Sequence, residues 1–104
     1  MAEVLIVCGS GISSQFLKET AQRSTEAYHA PITFDSTSFS AAESENIDGY
    51  DLVLVAPQVS YDYSILKAEN PRLETIPDDI YGWLNGESLV KFAMNELEKN
   101  KIAG

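Results

Sequence analysis

Cys8 is the only cysteine of the chain. It stands between the apolar run Val4-Leu5-Ile6-Val7 and the small-residue segment Gly9-Ser10-Gly11-Ile12-Ser13-Ser14. An amphipathic stretch starts near Ser14. A strand, a tight loop and a helix in this order aim the loop amides and the helix N-terminus at one point, which makes an anion site. Gly9 and Gly11 let the backbone turn tightly and approach a ligand closely. A thiol at that point gains a stabilised thiolate beside a cradle for phosphate. The chemistry this permits is nucleophilic and covalent: the sulfur accepts a phosphoryl group and holds it as a cysteinyl phosphate. The competing reading is a small buried hydrophobe, the common fate of a free cysteine. The loop context favours the chemistry.

Phosphatases that use such a loop read Cys-x5-Arg-Ser/Thr, and the arginine clamps the transferring oxygens. Here the sixth position after Cys8 is Ser14, and no arginine or lysine lies between Cys8 and Gln15. Amides without a guanidinium suit a carrier better than a hydrolase. A phosphatase-like enzyme with a relocated acid is the alternative, and Asp78 or Asp79 would be that acid if they are not solvated turn residues. Ser10, Ser13 and Ser14 can donate to phosphate or simply cap and turn the chain. Gln58 could orient the phosphoryl group from a facing loop. Tyr61 could line the same crevice, although packing is the favoured reading for an aromatic residue. Tyr81 and Trp83 read as a small aromatic patch, more often core than interface. The single histidine, His29, sits at a helix end and reads as a surface residue. One histidine and one cysteine leave no metal-binding cluster, and no cofactor is expected.

The elements that must position these residues alternate along the chain. Val4–Val7 reads as the first strand and residues 14–28 as the first helix. Ile12, Phe16, Leu17, Ala21, Ser24 and Tyr28 recur there at helical spacing. Ala30-Pro31 breaks the helix, and Ile32–Asp35 is a short second strand. Ser40-Ala41-Ala42-Glu43 fits a capping box and marks a short second helix. Leu52–Val55, apolar on both faces, reads as a central parallel strand stopped by Pro57. A third helix over residues 62–69, a fourth strand at Leu73–Ile76 and a loop at 77–82 follow. A last helix over residues 87–100 turns Leu89, Val90, Ala93, Met94 and Leu97 to one face. Helical crossovers force parallel pairing with right-handed connections. The expected fold is α/β: a four-stranded parallel sheet of order 2-1-3-4 with helices on both faces. Ligands bind such sheets where the strand order reverses, at the carboxyl ends of strands. That places the Cys8 loop opposite the loop Ala56–Tyr61.

A chain of 104 residues is read as one domain, 1–104. A lone cysteine implies a reducing compartment. No apolar run approaches the roughly 20 residues that span a bilayer, and no basic residue precedes the first apolar run, so no signal peptide is expected. The net charge of −9 argues against nucleic acid and anionic membrane surfaces as ligands. It also means that local dipoles must supply the attraction for phosphate.

Three segments together resemble the IIB components of the bacterial phosphoenolpyruvate-dependent sugar phosphotransferase system, lactose/chitobiose (cellobiose) branch. They are Leu5 to Ser14, Asp51 to Tyr61 with its Ala-Pro-Gln loop, and Tyr81-Gly82 through Gly86 with the closing helix. The resemblance covers essentially the whole chain. It implies a fold like that of flavodoxins and low-molecular-weight tyrosine phosphatases. It implies that Cys8 takes phosphate from a phosphohistidine on a IIA protein and delivers it to a sugar bound by the membrane IIC permease. The sugar would be a β-disaccharide such as cellobiose, chitobiose or lactose. The backbone phosphate site maps onto Gly9, Ser10, Gly11, Ile12, Ser13, Ser14 and Gln15. A cytoplasmic monomer, peripheral to the inner membrane face through the permease and without direct membrane insertion, is the expected form. A flavin-binding domain of the same fold class is a further alternative, although such chains are usually longer.

Overall fold

In the computed structural model, residues 2–9, 11–44, 47–57, 64–83 and 85–103 are described. Their order is β1 (Ala2–Cys8), α1 (Gly11–Tyr28), β2 (Ile32–Ser38), α2 (Phe39–Ser44), β3 (Leu52–Val55), α3 (Ser64–Glu69), β4 (Leu73–Thr75), α4 (Asp78–Trp83) and α5 (Gly86–Ala103). The four strands are all parallel and lie in the order β2-β1-β3-β4. The central pair consists of the two most apolar runs, as a sheet covered on both faces requires.

Period-2 alternation along β1 divides the core. Val4, Ile6 and Cys8 point to one face and join Leu17, Ala21, Leu54, Leu89 and Ala93, the face covered by α1 and α5. Leu5 and Val7 point to the other and join Ala42, Val53, Val55 and Leu66, the face covered by α2 and α3. Cys8 is therefore a core-facing residue by position in its strand, at the last place before the chain leaves the sheet.

Several boundaries differ from the sequence reading, each for a physical reason. The first helix begins at Gly11 rather than Ser14. A glycine weakens a helix interior but not its first position, where few helical bonds depend on it. β2 continues through Ser36, Thr37 and Ser38, because they pair with Ile6, Val7 and Cys8. Ser38, not Ser40, caps α2: the Ala41 N–H donates to Ser38 Oγ at 3.2 Å. Residues 78–83 form a helix rather than a loop, with Pro77 before it and Asp78 and Asp79 in its first turn. That is a favourable helix start. β4 ends at Thr75 and α3 starts at Ser64; the expected helical residues 62 and 63 lie outside the described residues.

The buried stripe of α1 is Leu17, Ala21 and Thr25, whereas Phe16 and Tyr28 of the expected face are 49% and 61% exposed. Met94 of α5 is likewise 47% exposed. The Tyr28 hydroxyl donates instead to Glu87 Oε1 across the α1–α5 surface at 3.0 Å. His29 ends α1 with φ at 55°, the left-handed turn of a helix stop, and is exposed as expected.

Two contacts hold the layers. Gly86 starts α5 against the α1 backbone: a Cβ there would stand 2.6 Å from the Thr20 carbonyl oxygen and 2.7 Å from the Ala21 nitrogen. Gly86→Ala must push the helices apart, and a loss of about 3 kcal/mol is expected in urea unfolding. At the amino edge of the sheet, fully buried Asn70 donates to the carbonyls of Ile47 at 2.8 Å and Tyr50 at 3.0 Å. Its Oδ1 accepts from the Arg72 N–H at 3.0 Å. Asn70→Ala leaves these backbone groups without that partner, so stability should fall by about 2–3 kcal/mol. Because this latch lies at the end of the sheet opposite Cys8, the alkylation rate of Cys8 in the folded variant should not change.

Candidate active site

The carboxyl ends of three strands are stapled side by side. The Ala56 N–H donates to the Val7 carbonyl at 2.8 Å, and the Ile76 N–H donates to the Val55 carbonyl at 2.8 Å. Cys8, Ala56 and Ile76 are thereby brought level, and all three are buried in the same core cluster. Cys8 has no exposed surface.

After Cys8 the chain makes an exposed bend at Gly9 and enters α1 at Gly11. The backbone of Gly11, Ile12, Ser13 and Ser14 is thus the first turn of a helix, not an open loop. Its first N–H groups have no intrahelical acceptor. No acidic residue stands in that turn to occupy them, whereas α4 begins with Asp78 and Asp79 of its own. Gln15 is exposed on α1. Of the facing segment, Ala56 is buried and Pro57 half-buried. Ser10, Gln58 and Tyr61 lie outside the described residues, as do the side chains of residues 11–14. Asp78 and Asp79 are exposed in the first turn of α4, where they complement its dipole.

The electrostatics of the sulfur correct one expectation. Burial pushes the Cys8 thiol up to about 11 from its ordinary 9.0, and a hydrogen bond with the Tyr81 side chain pulls the other way without prevailing. The folded chain therefore holds a protonated thiol, not a ready thiolate. Tyr81 is the residue of the aromatic pair with Trp83 whose side chain is described. It is half-buried against the core cluster that contains Cys8, in keeping with a core role, and its side chain also hydrogen-bonds Cys8. Its signal was faint: a tyrosine shortly after a strand that ends beside Cys8.

The family profile described as "PTS system, Lactose/Cellobiose specific IIB subunit" matches residues 3–92. The chain belongs to this IIB family. A lactose-specific EIICB component of Streptococcus mutans is 37% identical over 70 residues, which are 67% of this chain and 12% of that protein. A lactose-specific EIICB component of Staphylococcus aureus is 30% identical over the same length and shares. The chain thus spans only about an eighth of the length of these EIICB relatives. Among solved structures, the cellobiose-specific IIB component of Borrelia burgdorferi superposes with a TM-score of 0.74 at 27% identity, covering 94% of this chain and 93% of that one. The lactose-specific IIB domain of Streptococcus pneumoniae superposes with a TM-score of 0.77 at 20% identity, covering 91% and 96%. The 2-1-3-4 parallel sheet is therefore the fold of IIB domains. Among the described residues no helix is long and apolar enough to cross a membrane.

Proposed function

We propose that this IIB chain acts as one phosphoryl-carrier domain, residues 1–104, with Cys8 as the carrier. It takes the group from a phosphohistidine on a IIA protein. It passes it to a sugar, a β-disaccharide such as cellobiose, chitobiose or lactose, bound by the IIC permease. The observation that carries this reading is Cys8 at the end of a central strand, with an 18-residue helix starting at Gly11 and no acid in its first turn. Amides from Gly9 to Gln15 would hold the phosphoryl oxygens, with Gln58 and Tyr61 facing them. The EIICB names of the curated relatives support a IIC partner, and the chain would sit at the inner membrane face through it.

In the first step the N–P bond of phosphohistidine breaks and its electron pair stays on the ring nitrogen. That strongly basic nitrogen takes the proton of the Cys8 thiol, and an S–P bond forms. The raised thiol pKa suits the product. A thiolate of pKa near 11 is a poor leaving group, so water displaces it slowly and the phosphoryl group survives until an acceptor is bound. The alternative hydrolase finds no support at Asp78 and Asp79, which are exposed helix-start residues.

The test is incubation with phosphoenolpyruvate, the general phosphotransferase proteins and candidate IIA proteins, followed by intact-mass measurement. One phosphoryl group per chain on Cys8 is expected, with little release of phosphate from aryl phosphates by the isolated domain. Rapid, burst-free turnover of aryl phosphates would favour the hydrolase.

A further inference from the structure

We propose that Tyr81 is a catalytic residue of the phosphoryl transfer, its hydroxyl hydrogen-bonding Cys8 Sγ and stabilising the thiolate that forms when the phosphoryl group moves on. This rests on the reading of Cys8 as the phosphoryl carrier.

The placement comes from the backbone. β4 delivers Ile76 beside Val55 through the N–H bond to its carbonyl, and β3 delivers Ala56 beside Val7 in the same way, both at 2.8 Å. Pro77 then starts the short helix α4, closed by the Tyr81 N–H donating to the Pro77 carbonyl at 3.0 Å. One turn of helix thus returns Tyr81 to the strand ends, where its ring packs on the cluster that includes Cys8, Ala56 and Ile76. The hydroxyl meets the sulfur. A thiolate can only accept, so in the ionised state the phenol O–H is the donor.

The chemistry needs such a donor. When phosphocysteine hands on its group, the S–P bond breaks and its electron pair stays on sulfur. A P–O bond forms to a sugar hydroxyl, whose proton leaves to water. Negative charge appears on an atom that the fold buries. No basic residue lies between Cys8 and Gln15, and several described cations are engaged elsewhere: Arg23 donates to the carbonyl of Glu19, Arg72 to those of Asp48 and Tyr50, Lys67 to that of Leu73, Lys91 pairs with Glu87 and Lys99 with Glu96. Among the described residues, the Tyr81 contact is the one that favours ionised Cys8 against burial. The hydroxyl acts on sulfur rather than on the phosphoryl oxygens, so it eases departure of the thiolate without the clamp on the phosphoryl group that an arginine would provide.

The test compares wild type with Tyr81→Phe, which keeps the ring and loses only the hydroxyl. The first readout is the pH profile of Cys8 alkylation by iodoacetamide, which needs no phosphorylation. The alkylation midpoint should move to higher pH in Y81F, and the rate at a fixed pH below it should fall several-fold. The second readout is the rate at which isolated phosphorylated protein passes its group to sugar in membranes containing the IIC permease. That rate should drop on the order of ten-fold or more, the effect of one hydrogen bond to a charged group. Superimposed alkylation profiles would overturn the assignment, and so would an unchanged transfer rate. Loss of cooperative unfolding in Y81F would also overturn it, because the hydroxyl would then be holding the fold. If wild-type Cys8 takes no phosphate at all, the carrier reading fails, while the alkylation profiles still decide whether Tyr81 governs the sulfur.

Discussion

Cys8→Ser should fold and yet lose phosphoryl transfer by on the order of 10^3-fold or more, since the hydroxyl has no base beside it to take its proton. The swap removes little volume. Cys8 is the last residue of β1, and its backbone pairing with Ser38 does not depend on the side chain. A buried hydroxyl needs a partner, and the Tyr81 hydroxyl that meets the sulfur can serve it. The thermal midpoint should therefore stay near that of the wild type. The chemistry should not survive, because a serine hydroxyl is far less acidic than even this raised thiol and far less nucleophilic. Intact-mass measurement after incubation with phosphoenolpyruvate and the upstream proteins should show one phosphoryl group on the wild type and none on the variant. Phosphorylation of the variant at the wild-type rate would move the acceptor away from position 8. The variant also reports on the amides from Gly9 to Gln15. If these bind phosphate by their own dipoles, C8S should still bind inorganic phosphate, weakly, and shift the amide resonances of that segment while the end of α5 stays unchanged.

The central strands and the strand order were legible because they rest on the strongest signals, two short uninterrupted apolar runs and the parallel pairing that helical crossovers demand. The segment from Gly11 to Ser14 was harder, since glycine and serines carry weak helix propensity and read equally as loop. Only the neighbouring sheet decides that the helix starts at once. At residues 77–82 the signs of a helix start were present, a proline followed by two aspartates, but they are also the signs of a turn, and six residues give no periodicity to arbitrate. The misjudged charge state of Cys8 has a different origin. The loop argued for a stabilised thiolate, while the alternation of Val4, Ile6 and Cys8 argued for a core-facing sulfur. Both were visible in the sequence. The second effect is the larger, because removing a charge from water costs more than one helix end returns. The Tyr81 contact was not visible, because nothing along the chain ties residue 81 to residue 8 until β4 is stapled to β3 and β3 to β1.

The raised thiol makes the last expected result a matter of pH. With the sulfur at about 11 in the folded chain, only about one molecule in 10^4 carries a thiolate at pH 7. Alkylation by iodoacetamide should accordingly be slow at neutrality and rise roughly ten-fold per pH unit until about pH 11, where an ordinary thiol would level off near 9. The same shift links to stability. Below pH 9 the thiol is protonated in folded and unfolded chains alike, and the full contribution is present. Between 9 and 11 the unfolded chain releases its proton while the folded chain keeps it. The unfolded state then binds fewer protons, so stability falls as pH rises. A shift of this size amounts to about 3 kcal/mol once pH passes the folded value. Tyrosines and lysines titrate in the same window, so the measured quantity is the difference between wild type and Cys8→Ser in urea unfolding at stepped pH. The difference should be flat below pH 9 and then move against the wild type up to about pH 11. A difference that stays flat through that range, or an alkylation profile that levels off near 9, would mean that the sulfur ionises as freely as in water. The slow hydrolysis expected of the phosphocysteine would then need another cause.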